Sequence, residues 1–271
     1  MRTSNPVFNS GTYQNAPALN HIPLVELEDR AKPNTMSMGG TTIKTGILLG
    51  ITIAVAAMTW SYYVGNSGAI FPTMIVSLVL GLASCFVMLK KPALAPVLAP
   101  VFAVGEGGFV SAISVSVIMY SPLATYVGGE ADGLALVGQA AGLTFAIAIA
   151  MLSAYAAGLI RLRGVVGKVV IVMTAGVMVY YLGAWVFNMI FGPVIPRLGW
   201  DAGPIGIGFS AFVVVLASLN LVLDFQFIED GVEKGLPKHF EWVGAFALLT
   251  TLVWLYIEVL RLIVKLRSVS D

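Results

Sequence analysis

From Lys44 to Val264 the chain repeats one pattern: long apolar runs broken by short polar or charged clusters. The runs fall at about 44–64, 69–89, 95–118, 133–160, 167–191, 204–227 and 242–264. A helix needs roughly 20 apolar residues to cross about 30 Å of hydrocarbon, so each run is long enough to span. Buried strands are shorter, and an outer-membrane barrel alternates apolar and polar residues in segments of about ten. The pattern therefore predicts an all-α membrane protein of seven transmembrane helices, occupying residues 41–271. Residues 1–40 are rich in Asn, Pro, Ser, Thr and Gly with scattered charges, and read as a flexible polar arm. The arm has no charged stretch joined to an apolar core, so it does not read as a signal peptide.

Composition agrees with the pattern. Hydrophobic residues make up 58% of the 271 positions and charged residues 11%; mean hydropathy is +0.90. A soluble domain carries about 25% charge. The net charge of +1 and the lack of a basic, aromatic-studded patch exclude nucleic acid as an expected partner. Cys85 is the only cysteine, so no intrachain disulfide and no thiolate cluster can form.

Lys and Arg set the expected orientation. With the N-terminus inside, ten basic residues near the spans lie on the inner side and four, Arg197, Arg261, Lys265 and Arg267, on the outer side. The positive-inside rule then places the N-terminus in the cytoplasm and the protein in the cell membrane. The basic tail weighs against this, because an even number of crossings would bring it inside. Gly138, Gly142, Ala146 and Ala150 recur every four residues in the fourth span, and Ala175, Gly176 and Gly183 lie in the fifth. Such spacing predicts close helix packing at these faces.

Three carboxylates inside the spans carry the candidate chemistry. An Asp at a helix centre costs roughly 2.5–3.5 kcal/mol on insertion scales, so an intramembrane acid is a functional candidate by default. Glu106 stands in Ala103–Val104–Gly105–Glu106–Gly107–Gly108, where glycines leave room for an ion or a helix. Asp224 follows Asn220 by four residues and shares its helix face, near the inner end of the sixth span. Glu258 precedes Arg261 by three residues, which permits an intrahelical ion pair, and shares a face with Thr251 and Trp254. The bland alternatives are a hydrogen-bonded structural Glu106, an Asp224 solvated at the membrane edge, and a Glu258 neutralised by Arg261. His21 and His239 lie outside the spans. No nucleophile elbow, phosphate loop or HExxH motif is present. An enzyme is not expected, nor a cofactor.

The opening MRTSNPVF, the third-span VFAVGEGGFVSAIS, the sixth-span LVLDFQFIEDGVEKGLPKHFEW and the last-span LVWLYIEVLRLI together resemble the Bax inhibitor-1 family, in particular its bacterial branch. The resemblance covers the first eight residues and the chain from about residue 36. It implies a last helix wrapped by the other six, and a pH-sensitive leak of calcium or other cations. It also implies a proton-sensing latch between an acid near the inner end of span six and one in span seven. Asp224 matches the first position. The second falls near Thr251, which is not an acid, and Glu258 lies about 10 Å farther along that face. Asp224 pairing with Glu106 or Glu258, or gating alone, all remain open. The expected ion path thus holds Asp224, Glu106 and Glu258, supported by Asn220, Thr251 and Arg261, with transient calcium at Asp224 and Glu106. The alternative is a non-conducting regulator that binds another membrane protein, such as a protease or a stress-response partner.

Overall fold

In the computed structural model, which describes residues 34–121, 124–125, 127–192 and 198–270, the apolar runs are seven helices. They are α1 (Met38–Gly65), α2 (Ile70–Lys90), α3 (Ala95–Val115), α4 (Glu130–Ala156), α5 (Val165–Phe191), α6 (Pro204–Glu233) and α7 (Phe240–Ser270). All seven are long and apolar enough to cross a membrane. No strand forms among the described residues. The arm expected over 1–40 lies largely outside the described residues; α1 begins at Met38.

Local signals fix the helix ends. Ser37 caps α1, its hydroxyl accepting from the Gly40 amide at 3.0 Å. Pro204 opens α6 at a position where a helix needs no amide donor. α3 carries Pro100 in its interior and runs on into a π-helical segment, Ser116–Tyr120. There the Tyr120 hydroxyl donates to the Val64 carbonyl at the end of α1, 2.6 Å away. The bond ties the end of the π-helical segment to the end of α1.

α7 packs against α1, α3, α4 and α6, while α2 rests on α3 and α5 on α6. Two-thirds of the most apolar stretch of α7 is buried (67%), against 17% for α1, α2, α4 and α5. Leu249, Leu255 and Leu260 of α7 are fully buried. Phe246 meets Phe102 of α3 with ring centroids 4.5 Å apart. Hydroxyls tie neighbouring backbones together: Thr52 donates to the Ala103 carbonyl at 3.1 Å and Ser77 to the Gly105 carbonyl at 2.9 Å. Hydrocarbon offers no competing partner, so these bonds are not exchanged for water.

The close helix approach is at α1 and α3, not at the spaced small residues of the fourth and fifth spans. A Cβ on Gly107 would stand 2.6 Å from the Thr52 carbonyl oxygen and 2.7 Å from Val55 Cβ. By contrast, Gly138, Gly142, Gly176 and Gly183 have nothing within 4 Å of a Cβ, and all four are exposed. The expectation of tight packing there is corrected. Residues four apart share a face, but the spacing does not say whether that face meets protein or lipid.

Gly107→Ala should therefore lower stability by about 1–3 kcal/mol through overpacking, whereas Gly138→Ala should be neutral or stabilise by up to about 1 kcal/mol through helix propensity. Thermal unfolding of both variants in the same detergent checks the contrast.

Candidate functional site

Three groups of ionisable residues sit in the helical part, and they differ in how completely their charges are answered. One lies near the C-terminal end of α7, where Glu258 Oε2 and Arg261 Nε are themselves buried without a hydrogen-bond partner. Glu258 is 1% exposed. Its Oε1 accepts from the Tyr181 hydroxyl of α5 at 2.9 Å and from Arg261 Nη1 at 3.2 Å. The Arg261 guanidinium lies against the Trp200 ring, 4.9 Å from its centroid, and 5.7 Å from that of Tyr181. One turn on, Lys265 is fully buried. It donates to the carbonyls of Leu198 at 2.7 Å and Gly206 at 3.0 Å and to Ser210 Oγ at 2.8 Å. Arg267 pairs with Asp132 of α4 at 3.5 Å. Each of these tail cations has a protein partner.

The second group clamps the other end of α7. Glu241 is fully buried and accepts from the Ser37 amide at 3.0 Å and the Ser37 hydroxyl at 2.8 Å. Lys44 forms an ion pair with it and lies over the Trp242 ring. A Cβ on Gly40 would run into the Glu241 carboxylate, so a glycine is required at that position for α1 to come this close. Next to it, the Met36 amide donates to the Leu236 carbonyl at 2.7 Å.

The third group differs. Asp224 of α6 is half-buried, and Thr251 of α7 lies beside its carboxyl. Its Oδ2 is buried without a partner. No cation pairs with it among the described residues. Asn220, one turn earlier, turns to α5 instead, donating to Thr174 Oγ1 at 2.7 Å. Glu229, near the C-terminal end of α6, is held by the Tyr155 hydroxyl and by Arg161 at 3.5 Å.

The sequence-expected residues thus separate into two places and a remainder. Asp224 and Thr251 come together across α6 and α7. Glu258 and Arg261 come together on α7, as their spacing allows. Glu106 sits half-buried on α3 with no hydrogen bond or ion pair to either place among the described residues. Sequence reading missed Tyr181 and Ser210, which complete the α7 cluster, and the burial of Lys265. It also missed the Lys44–Glu241 clamp. Among the described residues no group of three or more His, Cys, Asp or Glu side chains could hold a metal ion.

The model of the family described as "Bax inhibitor 1 like" matches the chain over residues 5–268. No curated protein and no solved structure matches.

The two kinds of carboxylate predict opposite stability effects. Glu258→Gln leaves the Arg261 guanidinium without its ion-pair partner and should cost about 3–5 kcal/mol. Asp224→Asn removes a carboxylate that has no cation partner and should change stability by less than about 1 kcal/mol. Thermal midpoints of the two variants side by side give the readout.

Proposed function

We propose, from the premise that this chain belongs to the Bax inhibitor 1 like family, that it lets calcium or other cations leak across the membrane under the control of one carboxylate, Asp224. It is a multi-pass membrane protein of a family that is not enzymatic. The observation that carries the reading is the Asp224 carboxyl, set between α6 and α7 beside Thr251, with one oxygen buried and unpartnered and no cation paired with it among the described residues. An ion pair would lock such a group; here it is free to gain and lose a proton.

The gate works without a second acid. Protonated Asp224 presents no charge and the helix contact stays closed. Ionised Asp224, beside the Thr251 hydroxyl, offers its unpartnered oxygen to a hard cation, which prefers oxygen ligands. Glu106, among glycines on α3, is a separate station along the path, and calcium visits both acids in transit. Glu258 is a structural counterion for Arg261 rather than a gate.

In the same reading α7 is the central helix of the bundle, supported by its burial and its four neighbours. The N-terminus, with the arm 1–40, faces the cytoplasm of a bacterial inner membrane. The excess of Lys and Arg on the inner side of the spans supports this orientation. Arg261, Lys265 and Arg267 are engaged by Glu258, backbone carbonyls and Asp132, which gives these tail cations a structural role in the bundle.

Calcium flux into proteoliposomes of the purified protein, scanned from pH 5 to 8, tests the proposal. Wild-type flux should rise with pH at least fivefold, and Asp224→Asn should flatten the profile at its low level. Thr251→Asp supplies the second acid and should split the profile into two steps, because neighbouring carboxylates titrate as a coupled pair. If folded wild-type protein gives no flux above empty liposomes at any pH, the leak fails and a non-conducting regulator takes its place.

A further inference from the structure

A crevice separates α1 from α4 on the lipid-facing side of the bundle. α1 packs on α3 and α7, and α4 on α6 and α7, so the two leave a gap whose floor is α3 and α7. The gap encloses about 430 Å³, within the range of small-ligand sites. Its walls run from Leu49 to Trp60 on α1 and from Leu134 to Phe145 on α4. That is about 17 Å of helix on the α1 side. The mouth residues Ile53, Leu134 and Phe145 are exposed to the surroundings, which in a membrane are acyl chains. Trp60 Nε1 bridges to Glu130 at 3.4 Å across one end.

The floor has a polar point that the protein leaves unanswered. Five hydroxyls line the crevice. Thr52 donates to Ala103, Thr144 to Ala140, and Ser114 meets Tyr256 at 2.8 Å. Ser111 is 1% exposed, and its Oγ has no hydrogen-bond partner. In hydrocarbon a buried hydroxyl without a partner costs more than in a water-accessible site. Ser111 stands nine residues before Tyr120 on the same continuous helix, about 14 Å from that end. A charged headgroup would be too costly at such depth, but a neutral carbonyl can reach it.

We propose that this crevice takes in, sideways from the bilayer, a neutral carbonyl-bearing lipid, its acyl chain between α1 and α4 and its carbonyl oxygen accepting from Ser111 Oγ. The apolar walls bind the chain, and Ser111 selects a lipid with an acceptor over a plain hydrocarbon.

The test uses the full chain in phosphatidylcholine nanodiscs doped with a diacylglycerol that carries a diazirine on one acyl chain. After irradiation, labels should concentrate on residues 49–60 and 134–145. Ala57→Trp and Ala141→Trp fill the crevice from opposite walls, and either one that retains the wild-type thermal transition should lose labelling at least fivefold. Ser111→Ala should lower diacylglycerol labelling severalfold and leave unchanged the labelling by a diazirine-bearing alkane without a carbonyl. Labels spread equally over the exposed face of α5 and unaffected by the filling variants would overturn the site. Equal labelling by the same chain carried on phosphatidylcholine, or indifference to Ser111→Ala, would overturn its preference for a neutral, carbonyl-bearing lipid.

Discussion

Hydrocarbon supplies no hydrogen bonds, and this constraint governs where each polar group of the bundle lies. The helices satisfy their own backbones, so folding is decided by what happens to the side chains that carry charge. α7 bears the heaviest load, with Glu241, Glu258, Arg261 and Lys265 all buried or nearly so. The bundle answers each one with a named partner from another helix or from α7 itself. Ser37 and Lys44 answer Glu241 at one end, and Tyr181, Leu198, Gly206 and Ser210 answer the cluster at the other. α7 is thus held at both ends by polar contacts and along its middle by Leu249, Leu255 and Phe246.

Against that background Asp224 stands out as an acid at the α6–α7 contact with no cation partner among the described residues. Buried ion pairs are costly to break and so make poor switches. A carboxyl with a single hydroxyl neighbour can change charge without dismantling the fold. The two ends of α7 give the rigid frame against which such a change at the α6–α7 contact could alter helix spacing. Gly107, where α1 and α3 approach most closely, holds another side of that frame.

Much of the architecture was legible in the sequence because the signal was large. Seven runs of about twenty apolar residues leave few alternatives, and the structure has seven helices there. The Glu258–Arg261 pair was legible because three residues along a helix is a local distance. The position of Thr251 opposite Asp224 came only through the family resemblance, and the residues themselves left pairing with Glu106 or Glu258 open. The Lys44–Glu241 clamp was not legible, since its partners stand 197 residues apart and no local pattern joins them. The stripe of Gly138, Gly142, Ala146 and Ala150 misled for a different reason. In a membrane both lipid and protein interior are apolar, so hydropathy does not mark which helix face turns inward. Ser111 gave no signal at all: a serine among apolar residues is ordinary until its neighbours are known to be engaged elsewhere.

The central claim is that Asp224 changes its protonation state on its own, uncoupled from another acid. Difference infrared spectroscopy on protein with isotope-labelled aspartate, recorded from pH 5 to 8 in lipid, observes that carboxyl directly. The account predicts one carboxylic C=O band that fades with rising pH in a single step, is absent from Asp224→Asn, and is unchanged by Glu106→Gln. A band that does not respond to pH over this range, or that moves with Glu106→Gln, would contradict it.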